Sequence, residues 1–237
     1  MGTDELKTAG KDNFNFISMM LSRIAHDLGN PLSAILGFSE LLGMDGISDE
    51  KRRRYVEHIN VQAGRANSML QNMASLGQKT EVSIGSVGLA SLVQNLLVRC
   101  RQVSPHIVFE FEIGEDLGVL ADSSLTMRVL EHLVGNATNM FKQAGTAEPR
   151  VEIRANTLSE QGLVRIFVSD NGPGVLADDA EKIFEPFYSR RNSGGLGLGL
   201  YSCRQMASLM NGKLSYLAPA PGIPGATFAL DLEADLL

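Results

Sequence analysis

The first third of the chain carries a helical spacing of apolar residues, and this spacing restricts the fold more than any other feature. Between Ile17 and Leu42 apolar residues recur every three or four positions, which places them on one stripe of a single helix. Between Val56 and Met73 the steps alternate between three and four, a mean of about 3.5 that favours a left-handed supercoil. One hairpin cannot bury both stripes, so we predict that two copies form a dimeric four-helix bundle.

After Gly77 the pattern changes to alternating strands and helices, which indicates a second domain. We predict an α+β protein with a lead at 1–15, a helical hairpin at 16–80 and an α/β domain at 81–237. The predicted elements of the second domain are helices at 91–101, 123–141 and 196–210, strands at 106–113, 150–155 and 163–169, and a closing hairpin of strands at 213–216 and 226–230.

Composition excludes several classes of protein. A net charge of −6, with no Trp and four Tyr, disfavours a nucleic-acid surface. Cys100 and Cys203 lack metal-type spacing, so a reducing, cytoplasmic location is expected. We predict no membrane segment, because no apolar run reaches about 18 residues and the N-terminus does not have the pattern of a signal peptide.

His26 is the first candidate for chemistry. It lies two residues from both Ile24 and Leu28, so at about 100° per residue it points about 200° away from the apolar stripe, toward solvent. The Asp27 carboxylate can hold one ring N–H and leave the other nitrogen free as a nucleophile, and Asn30 follows one turn later on the same face. An ordinary surface histidine beside a carboxylate is the alternative.

Three motifs in the second domain suit a nucleotide. The amide oxygen of Asn136, on a predicted helix, suits Mg²⁺. Asp170, at the end of a predicted strand, can accept a hydrogen bond from an adenine amino group, while Gly172 and Gly174 allow a close backbone approach. The glycine-leucine run at 194–200 opens a helix whose N–H groups can hold phosphates. Taken singly, these residues also suit a surface amide or an ordinary turn.

A loop between the last two motifs contains Phe184 and Phe187, followed by Arg190 and Arg191. Two phenylalanines in a polar, glycine-flanked loop are typical of a mobile lid over a nucleotide, and an arginine there can reach a terminal phosphate. A small apolar cluster with solvated arginines is the alternative.

The segment His-Asp-Leu-Gly-Asn-Pro-Leu at 26–32 resembles the phosphoacceptor motif of sensor histidine kinases, H-[ED]-x-x-[NT]-P-[LI]. The later motifs follow in the order of the catalytic domain of that family, an α/β sandwich shared with gyrase-type and Hsp90-type ATPases. The resemblance implies ATP and Mg²⁺ as cofactors, phosphorylation of His26, and transfer of the phosphoryl group to an aspartate of a response-regulator receiver domain. It also implies reverse phosphatase activity that uses Asn30.

The resemblance assigns site residues by position. The implied catalytic residues are His26, Asp27 and Asn30, and the implied magnesium ligand is Asn136. The implied nucleotide contacts are Asn136, Asn139, Lys142, Asp170, Gly172, Gly174, Phe184, Phe187, Arg190, Arg191, Gly195, Leu196, Gly197, Leu198 and Gly199.

Three positions depart from the family pattern. His132 stands where an Asn is common, Asn139 where a Lys is common, and Leu196 where a small residue is common, while Lys142 is a candidate substitute for the lysine. Weak ATP hydrolysis and slow ATP use are therefore expected. Three other functions stay open: a phosphotransfer adaptor without ATP use, a serine kinase acting on a partner protein, and a nucleotide-binding switch without chemistry.

Overall fold

The chain folds into two compact units. The computed structural model describes residues 2–77, 81–189, 197–219 and 223–235. The helical unit comprises Met1–Gln78 and Pro186–Leu198, and the sheet unit comprises Lys79–Glu185 and Gly199–Leu237. The segment at 186–198, predicted as part of the second domain, is therefore grouped with the helices.

Two long helices make up most of the helical unit. Helix α1 runs over Gly2–Leu42 and α2 over Asp49–Gly77. The periodicity predicted α1 only from Ile17, but the helix begins earlier and continues through Pro31. The Ser48 hydroxyl accepts a hydrogen bond from the Lys51 N–H at 3.4 Å, so the predicted cap precedes α2.

The helical unit buries little of its apolar stripe. Its buried cluster consists of Ile24, Met69 and Leu198, with Leu28 and Phe187 packed against it. Several large apolar side chains on the same two helices stay exposed, and they include Leu21, Leu32, Leu36, Val56, Val61 and Leu70. A single hairpin therefore leaves apolar surface without a partner within the described part of the chain.

The sheet unit contains one seven-stranded sheet. Its strands are β1 Gly85–Gly88, β2 Val108–Glu112, β3 Gly118–Ala121, β4 Arg150–Leu158, β5 Leu163–Asp170, β6 Lys213–Leu217 and β7 Ala226–Ala234. The order is β1-β3-β7-β5-β4-β2, with β6 also paired to β7. The β2–β4 pair is parallel and the other pairs are antiparallel.

Three helices share a core with this sheet. They are α3 Leu89–Val103, α4 Ser123–Ala144 and α5 Gly199–Leu209. Alternate residues of β4 and β5, such as Val151, Ile153 and Ile166, are fully buried in one cluster with residues from all three helices. This period of two is typical of a sheet covered on one face, so the unit is an α/β sandwich and the protein is α+β, as predicted.

Asp122 fixes the start of α4. Its Oδ1 accepts hydrogen bonds from the backbone N–H groups of Ser124 and Leu125 at 2.9 and 3.0 Å. Its Oδ2 accepts a third from Ser83 at 2.9 Å. Burial raises the pKa of this carboxyl, but the three N–H donors outweigh it and leave the pKa below its ordinary value.

Candidate functional site

His26 lies on the surface of α1 with an ordered partner. Its side chain is 70% exposed, and Nδ1 lies 2.9 Å from Oδ1 of Asp27, whose side chain is only 13% exposed. The second carboxylate oxygen of Asp27 accepts a hydrogen bond from Nε of Arg23 at 2.9 Å. The Asp27 carboxylate is therefore held by both His26 and Arg23. The sequence predicts the contact with His26 but not the contact with Arg23. The four-residue spacing between Arg23 and Asp27 is the signal that identifies this second pair.

This arrangement prepares one ring nitrogen of His26 for reaction. An ionised carboxylate only accepts hydrogen bonds, so Nδ1 carries the proton in the neutral ring. Nε2 then presents its lone pair to solvent. Asn30 lies one turn further along α1 and is exposed, whereas Pro31 beside it is buried. The helix thus places His26, Asp27 and Asn30 together.

Asn136 lies on α4 and is half-buried. One turn earlier on the same helix, the His132 ring lies against the beginning of α5. A Cβ atom on Gly199 would lie only 3.0 Å from Cδ2 of His132. Burial and the nearby Arg128 charge lower the pKa of His132, so its ring is neutral near pH 7. The packing therefore brings the middle of α4 to the N-terminus of α5, where the sequence predicts a phosphate site.

Asp170 is the last residue of β5. Its Oδ1 accepts a hydrogen bond from the Gly172 N–H at 2.8 Å. Burial raises the pKa of the Asp170 carboxyl, although hydrogen bonds from the backbone of Gly172 and Ala226 oppose the rise. A half-buried carboxylate at a strand end is suited to accept a hydrogen bond from a ligand.

Glycines around Asp170 permit close contacts within the chain itself. A Cβ atom on Gly172 would lie 2.9 Å from Oδ1 of Asp170, and one on Gly174 would lie 2.6 Å from the Gly225 carbonyl oxygen. Gly174 and Gly225 have φ values of +74° and +116°, and a Cβ atom on Gly225 would overlap the Asp170 carbonyl oxygen. Gly225 was not predicted as a site residue. Its role depends on the β5–β7 pairing, which no local motif reports.

The two phenylalanines of the predicted lid have different surroundings. Phe184 is 3% exposed in the core of the sheet unit, with its ring 6.3 Å from Phe228 in an edge-on contact. Phe187 belongs instead to the helical unit, and its N–H donates a hydrogen bond to the Gly197 carbonyl at 3.0 Å. The prediction of one mobile pair is therefore corrected, because Phe184 is a fixed core residue.

Two of the predicted nucleotide contacts on α4 line a cavity. Asn139 and Lys142 line a cavity of about 340 Å³ among α3, α4 and β2, near the Arg99–Glu131 ion pair of 2.8 Å. Lys142 lies six residues after Asn136, hence about 120° away around α4.

The structure describes only part of the predicted glycine-leucine run. The predicted contacts outside the described residues are Arg190, Arg191, Gly195 and Leu196. Gly197, Leu198 and Gly199 are described, and α5 begins at Gly199 rather than at residue 196 as predicted.

Two known protein families match successive parts of this chain. Residues 17–81 match the His Kinase A (phospho-acceptor) domain. Residues 121–236 match the Histidine kinase-, DNA gyrase B-, and HSP90-like ATPase family. The chain belongs to the histidine kinase family.

Several known proteins are similar to this chain. The histidine-protein kinase AtoS of Escherichia coli strain K12 is 29% identical over 216 residues, which cover 90% of this chain and 34% of AtoS. The chain thus spans about a third of the length of that relative. The histidine kinase ThkA, solved with the response regulator TrrA, has a TM-score of 0.76 at 22% identity and covers 95% of this chain and 64% of that chain. Full-length ShkA with AMPPNP has a TM-score of 0.61 at 24% identity, covering 91% and 46%.

In the described residues no helix is long and apolar enough to span a membrane. Nor does any group of three or more His, Cys, Asp or Glu side chains converge as a metal site in that part of the chain.

Proposed function

We propose that this chain is an ATP-dependent protein histidine kinase that phosphorylates His26. The observation that carries the proposal is the exposed His26 ring with Nδ1 held at 2.9 Å by a largely buried carboxylate. The family matches to a phospho-acceptor domain and an ATPase domain support it. Both halves of a phosphotransfer reaction, the acceptor and the nucleotide domain, are therefore present in one chain.

In the sheet unit, we propose that Asp170 accepts a hydrogen bond from the adenine amino group and that the N-terminus of α5 holds the phosphates. Backbone N–H groups at a helix N-terminus favour anions, and α5 begins at Gly199. Asn136 supplies a single amide oxygen, which fits Mg²⁺ because this ion commonly takes its other ligands from phosphates and water. Bound magnesium would offset the charge on the phosphates.

In the transfer step, the Nε2 lone pair of His26 attacks the γ-phosphorus of ATP in line with the leaving oxygen. The new N–P bond forms as the bond to the β-phosphate oxygen breaks, and ADP leaves. The phosphorylated ring retains its Nδ1 proton and carries a positive charge. The Asp27 carboxylate stabilises that charge at hydrogen-bond distance, and Arg23 fixes the carboxylate.

The next acceptor that we propose is an aspartate on a response-regulator receiver domain. The complex of ThkA with a response regulator supports this partner class. We also propose that two copies pair through the helical unit, because exposed apolar residues such as Leu32, Leu36 and Val56 lie on its helices. The cytoplasm is the proposed location, since ATP is available there and Cys100 and Cys203 are free thiols.

A second activity is proposed for Asn30. It is exposed on α1 one turn from His26, where its amide can orient a water molecule toward a bound phospho-receiver. Asn30→Ala should lower receiver dephosphorylation while labelling of His26 by ATP stays near the wild-type rate. Unchanged dephosphorylation in this variant would exclude the role.

The test of the kinase proposal uses γ-labelled ATP with Mg²⁺ and the variant His26→Gln. We expect an acid-labile, base-stable label on the wild type and none on His26→Gln, while the exposed control His106→Gln stays labelled. An acid-stable label would favour a serine kinase. Absence of both label and ATP binding would favour the adaptor, and binding without a label would favour a nucleotide switch.

A further inference from the structure

Arg204 on α5 connects this helix to the residues that precede the segment at 186–198. Its guanidinium carbon lies 4.4 Å above the ring centre of the buried Phe184. Its Nη2 atom lies 3.5 Å from a carboxylate oxygen of Glu181. Phe184 is in turn held edge-on by Phe228 of β7. Arg204 therefore contacts a ring that the core already fixes.

A second contact closes the segment itself. The Phe187 N–H donates to the Gly197 carbonyl at 3.0 Å. A Cβ atom on Gly197 would lie 2.6 Å from the Phe187 carbonyl carbon and 2.7 Å from the Tyr188 carbonyl oxygen. Phe187 has a φ of +65°, which is uncommon for a bulky residue and marks a backbone held in place by its surroundings. The backbones of Phe187 and Gly197 are therefore held close together.

Chain connectivity gives Arg204 a particular place. Phe184 lies two residues before Pro186, the first residue of the segment at 186–198, and α5 begins directly after Leu198, the last. The contact between Arg204 and Phe184 therefore joins the two stretches of the sheet unit that flank this segment. The N-terminus of that same helix is the proposed phosphate site. A displacement of α5 from Phe184 would move both the phosphate site and the attachment of the segment.

We propose that Arg204 is a positioning residue for ATP, acting through Phe184 and the N-terminus of α5 rather than by touching the reacting atoms. This inference rests on the proposed nucleotide site. Loss of the Arg204 contacts would loosen the packing of α5 against Phe184 and would weaken nucleotide binding at the N-terminus of α5. The attraction between a partly exposed cation and an aromatic ring is large enough to change a dissociation constant about fivefold.

The test compares Arg204→Ala and Arg204→Lys with the control Arg154→Ala in the full chain. Arg154 is a suitable match because its side chain is 47% exposed, against 41% for Arg204, and it also pairs with a glutamate, Glu152. The measurements are KM for ATP and kcat of autophosphorylation, the Kd of a non-hydrolysable ATP analogue, and the melting temperature without nucleotide.

We expect Arg204→Ala to raise KM and Kd about fivefold while kcat stays within about twofold. Arg204→Lys should fall between Arg204→Ala and wild type, because lysine retains the charge above the ring but not the planar fork. A merely structural role predicts a lower melting temperature and less active protein at unchanged KM and Kd. That result, or an equal rise in KM for Arg154→Ala, would overturn the inference.

Failure of the inference can be distinguished from failure of the proposed function. If wild type binds the analogue and labels His26 while Arg204→Ala does the same at equal ATP concentrations, only the role of Arg204 is wrong. If wild type neither binds the analogue nor becomes labelled, both are wrong. If Arg204→Ala does not fold, the variants Arg204→Lys and Glu181→Gln replace it. Wild-type values of KM and Kd in both folded variants would overturn the inference. A KM for Arg204→Lys above the wild-type value would support it.

Discussion

Nδ1 of His26 and Oδ1 of Asp27 lie 2.9 Å apart on the surface of α1, and Arg23 binds the other oxygen of the same carboxylate. The histidine is exposed while its partner is mostly covered. The exposed His26 ring is thus held by a carboxylate that is mostly covered and bound on its other side by Arg23.

Asp27→Asn should lower the rate of His26 phosphorylation by about a hundredfold, because a neutral amide stabilises the charged phosphohistidine ring far less than a carboxylate. KM for ATP should stay near the wild-type value, since the nucleotide is expected to bind the sheet unit. The measurement is the initial rate of labelling over a range of ATP concentrations. A large change in KM with an unchanged kcat would contradict this role.

ATP affinity should depend on the ionisation of Asp170. Burial raises the pKa of this carboxyl, so it takes up a proton at a higher pH than an ordinary aspartate with a value of 3.8. Only the ionised form accepts a hydrogen bond at both oxygens, so affinity for an ATP analogue should fall as pH decreases through that raised pKa. Titration calorimetry at a series of pH values from 8 down to 3.8, the ordinary pKa of an aspartate, measures the fall. Asp170→Asn should bind at least about tenfold more weakly and lose the dependence on pH.

Asp122→Ala should destabilise the sheet unit by about 1 to 2 kcal/mol, because α4 loses its N-cap and Ser83 loses its acceptor. The folded carboxyl has a lowered pKa, so its stabilisation is present above the unfolded pKa and is lost as pH falls through the folded pKa. Urea unfolding should therefore separate wild type from the variant at pH 7, and the difference should begin to shrink as pH falls below the ordinary value of 3.8. Replacement of the exposed Asp116 by Ala is the matched control.

Gly225→Ala should destabilise the protein by several kcal/mol and weaken ATP binding, because the new Cβ overlaps the Asp170 carbonyl oxygen at a φ of +116°. Gly85→Ala is the control, since a Cβ atom there meets nothing within 4 Å. Thermal unfolding with and without an ATP analogue makes the comparison. Equal melting temperatures for the two variants would show that the backbone just before β7 accommodates a side chain.

Much of the fold follows from local pattern. The period of three to four residues predicts α1 and α2, and alternation predicts β4, β5 and the β6–β7 hairpin. Strands β1 and β3 were not predicted, because each has only four residues and too few positions to establish alternation. These two strands form by pairing with residues distant in the chain, β1 with β3 and β3 with β7.

The candidate site divides in the same way. His26 and Asp27 are neighbours in sequence, so the helix alone places them together and the motif is readable without a structure. Phe184 and Phe187 look alike in sequence, yet one is in the core of the sheet unit and the other packs in the helical unit. Which phenylalanine is buried depends on Phe228 and on Arg204, and neither lies in the motif.

The sequence by itself determined the helical hairpin, the mixed α/β class of the second domain and the placement of His26 beside Asp27, because each depends on spacings of a few residues along the chain. Only the tertiary structure decided that Gly225 packs on Asp170 and that Arg204 covers Phe184. These contacts form when strand pairing and helix packing bring distant elements together. The spacing of residues within one helix or strand does not predict which residues of another element it will contact.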